Sequence, residues 1–212
     1  MIIKSPSPAI EIPNISWPEY FLARIEPYHK EIALIDGDSG RQINYDELKK
    51  NIRSVAAALQ QKGYKKGDVF AIYAPNIIEY IYVFQSVMLI GGVITTANPL
   101  YTAGELEHQL QHSKAICLLT TSDLLEKVGP MLKATLVKDI FVFNHGDAAN
   151  SFDLLMQDNN ATELQSVSID PLNDIAILPY SSGTTGLPKG VMLREMERNN
   201  HPNEVSLCLN NL

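Results

Sequence analysis

The residues best equipped for chemistry form one unbroken stretch, Tyr180-Ser181-Ser182-Gly183-Thr184-Thr185-Gly186-Leu187-Pro188-Lys189-Gly190-Val191. Gly183, Gly186 and Gly190 place no side chain between the backbone amides and a ligand, so successive N–H groups can turn toward one anion. Ser181, Ser182, Thr184 and Thr185 add short hydroxyl donors, and Lys189 adds a mobile ammonium suited to phosphate oxygens. The set predicts a cradle for a polyphosphate. An apolar run, Ile175-Ala176-Ile177-Leu178, precedes it and Val191-Met192-Leu193 follows, which predicts a strand on each side. A Gly/Ser/Thr-rich surface turn with no ligand is the plain alternative for such a string.

The Walker A pattern requires Gly before the Lys and Ser or Thr after it, whereas here Pro188 precedes Lys189 and Gly190 follows. A P-loop NTPase is therefore disfavoured. A dinucleotide-binding dehydrogenase needs Gly-x-Gly-x-x-Gly after an early strand, and neither Gly63 to Gly67 nor Gly91-Gly92 supplies it. The stretch from Tyr180 to Val191 instead closely resembles the phosphate-binding loop of adenylate-forming enzymes, the superfamily of acyl-CoA synthetases, luciferases and adenylation domains. The likeness extends to Ala97-Asn98-Pro99-Leu100-Tyr101-Thr102-Ala103-Gly104-Glu105-Leu106, with Gln109 and Ser113 beyond it, and to Leu34-Ile35-Asp36-Gly37. These segments look like coumarate:CoA ligases and fatty acyl-CoA synthetases. Tyr101-Thr102 and Ser182-Gly183-Thr184 look more like the CoA ligase and luciferase branch than like peptide-synthetase adenylation domains. Asn98 and Tyr101 are read as residues that pin a turn.

That resemblance implies two half-reactions. A carboxylate attacks the α-phosphorus of ATP, giving an acyl adenylate and pyrophosphate, and the thiol of CoA then takes the acyl group. Carried over by position, Ser181, Ser182, Gly183, Thr184, Thr185, Gly186 and Lys189 hold the β- and γ-phosphates with Mg²⁺, and Lys189 neutralises the departing pyrophosphate. ATP and a carboxylic acid are the implied partners. The likeness is expected over residues 17 to 193 and is lost after Leu193, where Arg194-Glu195-Met196-Glu197-Arg198 opens a stretch without apolar periodicity. The expected organisation is thus an N-terminal part of an AMP-binding domain at 1–193 and a divergent tail at 194–212. The family's later segments for adenine, ribose and the acyl pocket have no match here. The chain is therefore expected to resemble a truncated acid:CoA ligase that keeps its phosphate loop without being catalytically competent alone. A non-catalytic nucleotide-binding or interaction fragment is the alternative, and a sheet without its later neighbours would favour self-association.

The elements that must position this loop are legible from periodicity and punctuation. Ser16 with Glu19 and Asn44 with Glu47 have the spacing of capping boxes that open helices. Ile32 to Ile35 and Arg41 to Tyr45 flank Asp36-Gly37-Asp38-Ser39-Gly40 and predict a hairpin. Leu48, Ile52, Val55, Ala56 and Leu59 fall on one helical face that stops at Gly63. Strands are predicted at Val69–Tyr73, Val93–Ala97, Ala115–Thr120 and Ile140–Phe143. Between and after them come helices at Ile78–Ile90, Thr102–Ser113 and Leu124–Lys133, with a short one near Phe152–Met156. Strands apolar throughout, alternating with helices, imply an α/β fold with a mostly parallel sheet covered on both faces. In such sheets ligands sit beyond the carboxyl ends of strands, where Ser181 to Lys189 follows Ile175 to Tyr180.

Composition narrows the partners. The 212 residues carry 17 basic and 24 acidic side chains, a net charge of −7, which disfavours nucleic acid and anionic membranes. Two cysteines without metal-ligand spacing, Cys117 and Cys208, fit free thiols in a reducing cytoplasm. Ile77 to Ile94 approaches the apolar length of a membrane helix, but Glu79, Gln85 and Gly91-Gly92 interrupt it.

Overall fold

The computed structural model describes residues 14–144, 149–156, 164–181 and 189–194. Helix α1 (Trp17–Ile25) and a 3₁₀ turn (Glu26–Tyr28) lead to a hairpin of β1 (Ile32–Ile35) and β2 (Gln42–Asn44). There follow α2 (Tyr45–Gln61), β3 (Val69–Tyr73), α3 (Ile78–Leu89), β4 (Val93–Ala97), α4 (Ala103–Ser113) and β5 (Cys117–Thr121). The chain continues through α5 (Ser122–Val128), β6 (Asp139–Phe143), α6 (Asp153–Met156) and β7 (Ile175–Ile177). Three two-residue strands close the described chain: β8 (Tyr180–Ser181), β9 (Lys189–Gly190) and β10 (Leu193–Arg194).

The main sheet has six strands in the order β10-β7-β4-β3-β5-β6. Its pairings from β7 through β6 are parallel, and only β10 runs antiparallel, against β7. The period of two along each strand sends alternate residues to opposite faces. Phe70 and Ile72 of β3 join Ile52, Val55, Leu59, Tyr82, Val83 and Val87 from α2 and α3. Ala71 and Tyr73 of the same strand join Leu106, Leu110, Leu124 and Val128 from α4 and α5. Both faces are thus covered, which is why these strands are apolar throughout. Glu79 is 2% exposed on α3 and is held by Arg41 at 2.5 Å from the hairpin, so the charge in that apolar helix is paired. At the end of α3, Gly91 turns the chain into β4 with φ 71°, a conformation that costs glycine little. Among the described residues, no helix is long and apolar enough to cross a membrane.

Several expectations are sharpened by the structure. At α1 the Ser16 hydroxyl donates to Glu19 Oε2 at 2.8 Å, and Thr102 with Glu105 forms a complete box at α4. At α2 one half of the expected box is made, with Asn44 Oδ1 accepting the Glu47 amide at 2.8 Å. The helix predicted over 124–133 is instead α5 followed by a 3₁₀ turn (Gly129–Ala134). Pro130 is the physical reason, since it has no amide to continue the α-helical ladder. β5 begins at Cys117 rather than Ala115, whose amide closes the preceding helix on Leu110 O at 3.1 Å.

Candidate functional site

The predicted phosphate loop leaves the sheet from the carboxyl end of β7. Ile177 pairs in parallel with Ile94 of β4, so the chain emerges on the side where β3 and β4 also end. Leu178 then donates its amide to Ile94 O at 2.7 Å. Next comes the antiparallel β8–β9 ladder, in which Tyr180 faces Gly190 and Ser181 faces Lys189. The Val191 amide donates to Pro179 O at 2.9 Å, closing the root of the loop from outside the ladder. Lys189 is exposed and lies across from Ser181, so the loop's ammonium and its first hydroxyl residue share one rung. The remaining predicted donors, Ser182, Gly183, Thr184, Thr185 and Gly186, lie outside the described residues.

Three polar ties fix this root to the layer of α4. Thr95 of β4 is fully buried, and its hydroxyl donates to Leu178 O at 2.8 Å. Gln109 of α4 donates from Nε2 to Thr95 Oγ1 at 2.8 Å and to Thr96 O at 3.1 Å. One helical turn on, His112 Nδ1 lies 2.6 Å from the Tyr180 hydroxyl. Burial pushes the Tyr180 phenol up to about 12, so at neutral pH it keeps its proton and can donate it. Sequence reasoning named Gln109 only as part of a resemblance and did not single out Thr95 or His112. The available signal was the spacing of Gln109 and His112, which puts both on one face of α4.

Asn98 and Tyr101 take the turn-pinning role expected of them. Asn98 Oδ1 accepts the Leu100 amide at 2.9 Å, and the Tyr101 amide donates to Asn98 O at 2.9 Å. Beneath this turn the Tyr73 hydroxyl donates to Tyr101 O at 3.2 Å. Cys117 is a buried free thiol, pushed up to about 12 chiefly by burial. No group of three or more His, Cys, Asp or Glu side chains among the described residues could hold a metal ion.

The family profile described as AMP-binding enzyme matches residues 21–202. The chain belongs to that family. A 4-coumarate–CoA ligase of Humulus lupulus is 33% identical over 98% of this chain, which spans 41% of that relative. One from Arabidopsis thaliana is 36% identical over 91% of this chain, which spans 34% of it. Among solved structures, a long-chain-fatty-acid–CoA ligase of Archaeoglobus fulgidus superposes with TM-score 0.81 at 29% identity, covering 91% of this chain and 39% of that one. An anthranilate–CoA ligase in complex with anthranoyl-AMP superposes with TM-score 0.77 at 22% identity, a likeness of fold. The chain therefore spans well under half the length of these relatives. Its mostly parallel sheet with flanking helices is that of the adenylate-forming ligases.

Proposed function

We propose that the chain is the part of an acid:CoA ligase that receives the phosphates of ATP, with Ser181, Ser182, Gly183, Thr184, Thr185, Gly186 and Lys189 as the receiving residues. One observation carries the reading: the β8–β9 ladder opens at the carboxyl edge of the sheet with exposed Lys189 on the rung of Ser181. In the reaction, carboxylate attack on the α-phosphorus releases pyrophosphate, and charge builds on the departing oxygens. Backbone amides and hydroxyls of the loop would stabilise that charge, and Lys189 would neutralise it without moving a proton. Removing one such donor costs about 3 kcal/mol in the transition state of comparable sites. Mg²⁺, implied by the family resemblance, would supply further positive charge to the β- and γ-phosphates beside Lys189. CoA is the thiol acceptor of the second half-reaction.

By itself the chain is proposed to bind ATP weakly and to turn over negligibly, because positioning supplies much of the rate in such transfers. The acid remains a carboxylic acid of unspecified side chain, and the compartment proposed is the cytoplasm. Titration of ATP with Mg²⁺ into the chain and into Lys189→Ala tests the loop. Exchange of labelled pyrophosphate into ATP, with a carboxylic acid present, tests the absence of turnover. The wild type should bind and the variant should not; exchange above background would overturn the second claim. Sequencing beyond codon 193 in all three frames tests the proposed divergence of residues 194–212.

A second reading, an interaction fragment, is favoured by an apolar groove of about 490 Å³ beside the sheet edge. Tyr80, Ile81, Phe84 and Met88 of α3 and Ile177 of β7 line it. Self-association through this face would appear as a concentration-dependent mass in light scattering, and a monodisperse monomer would oppose it.

A further inference from the structure

We propose that His112 and Tyr180 form a strut from α4 to the root of the phosphate loop, and that both are positioning residues for the polyphosphate. The proposal rests on the ATP reading above for its ligand, but its geometry stands separately. The Tyr180 hydroxyl meets His112 Nδ1 at 2.6 Å, and the two rings meet edge to face at 5.7 Å and 79°. On its other side His112 stacks on His108, with centroids 5.6 Å apart and planes 24° apart. The imidazole is thereby held between two rings, so its Nδ1 is fixed in place against the hydroxyl.

Tyr180 is as constrained as its partner. Its ring lies against Gly190, where an added Cβ would sit 3.0 Å from Cζ and 3.2 Å from the hydroxyl oxygen. Gly190 is the residue after Lys189, and Tyr180 precedes Ser181. A shift of Tyr180 therefore displaces both sides of the rung that carries the loop's ammonium. The buried Gln109–Thr95–Leu178 chain holds the near side of the same short segment. Thus α4 grips Leu178 through one residue and Tyr180 through another, on the stretch that leads into Ser181. Preorganised donors need no rearrangement when charge arrives.

With the hydroxyl as donor, the strut requires His112 to carry its proton on Nε2 and leave Nδ1 unprotonated. Nitrogen-15 spectra of the chain should assign that tautomer, and Tyr180→Phe should shift the Nδ1 resonance. Titration of ATP with Mg²⁺ is the binding arm. Tyr180→Phe and His112→Ala should each weaken binding about fivefold, the scale of one net hydrogen bond. The double variant should bind no more weakly than either single one, because both remove the same contact. His112→Asn, whose amide reaches the place of Nδ1, should restore binding, whereas His112→Gln should not. Amide exchange at Ser181 and Lys189 should quicken in the two single variants while their melting temperatures stay near wild type.

Unchanged affinity and unchanged exchange in Tyr180→Phe would overturn the strut while leaving the ATP reading intact. A wild-type chain that ignores ATP would overturn the ATP reading and with it the strut's proposed ligand. Exchange at Ser181 and Lys189 then decides whether the strut exists at all.

Discussion

Replacing Gly190 with Ala tests how tightly the root of the loop is packed. Gly190 is buried and faces Tyr180 across the ladder. The new methyl would lie 3.0 Å from Tyr180 Cζ, 3.2 Å from its hydroxyl oxygen and 3.3 Å from Cε2. Carbon atoms rest comfortably at about 3.5–4.0 Å, so the ring must yield by roughly half an ångström. It cannot slide toward α4, because His112 Nδ1 already stands 2.6 Å from the hydroxyl. Overpacking of this kind typically costs about 1–3 kcal/mol. For a chain of this size the corresponding fall in melting temperature is roughly 2–4 °C per kcal/mol. Calorimetry should therefore register a drop of several degrees. Removing the obstructing ring should relieve it, so Tyr180→Ala with Gly190→Ala should be less destabilised than the sum of the two single changes. If Gly190→Ala melts with the wild type, Tyr180 is not packed as described and the reasoning about the root fails.

Arg41→Met should strand the buried Glu79 carboxylate and cost about 2 kcal/mol in urea unfolding. That lies below the 3–5 kcal/mol of a fully enclosed pair because the Arg41 side chain is 46% exposed. Adding Glu79→Gln should recover most of the loss. Iodoacetamide at pH 8 should leave Cys117 unmodified in the native chain and label it in denaturant, since burial holds the thiol at about 12; peptide mass identifies the site. Stability should also fall in acid. Glu26 and Glu105 are lowered from 4.5, Glu26 chiefly by its hydrogen bond with Lys49 and Glu105 chiefly by the Thr102 amide. Asp36, Asp123 and Asp170 are lowered from 3.8 by hydrogen bonds from Ser39, Thr121 and Asn173. Each depressed carboxyl lends stability that is complete above its unfolded value and disappears as pH falls through its folded one. Melting temperature should thus hold down to about pH 5 and decline below it.

The parts of the fold legible from sequence are those in which local chemistry and burial agree. Val69–Tyr73 and Val93–Ala97 contain apolar or small residues on both faces, and both faces are covered by helices. Thr102 and Glu105 cap α4 with side chains that sit three positions apart, so no tertiary knowledge is needed to see them. Where a local breaker or a tertiary contact overrides the apolar pattern, the reading blurs. Leu124 to Lys133 has helical spacing, yet Pro130 divides it. Val191-Met192-Leu193 reads as one strand, but the chain spends Lys189–Gly190 on closing the loop and only Leu193–Arg194 on the sheet edge.

The candidate site divides in the same way. Glycines, hydroxyls and a lysine in one short stretch suggest the proposed anion cradle because each residue type contributes by itself. The residues that hold the cradle do not announce themselves, since a threonine, a glutamine and a histidine acquire their roles only from what lies opposite. Thr95 and Leu178 are far apart in sequence and meet only because β7 pairs with β4. His112 has no partner on its own helix that would distinguish it from His108, with which it stacks. The chemistry of the loop is therefore written locally, whereas its geometry is set by the order of strands in the sheet. A substitution in α4 at His112 or Gln109, outside the loop's own sequence, should weaken the proposed phosphate binding, though by less than Lys189→Ala, whereas an equally polar change on the exposed face of α2 should not.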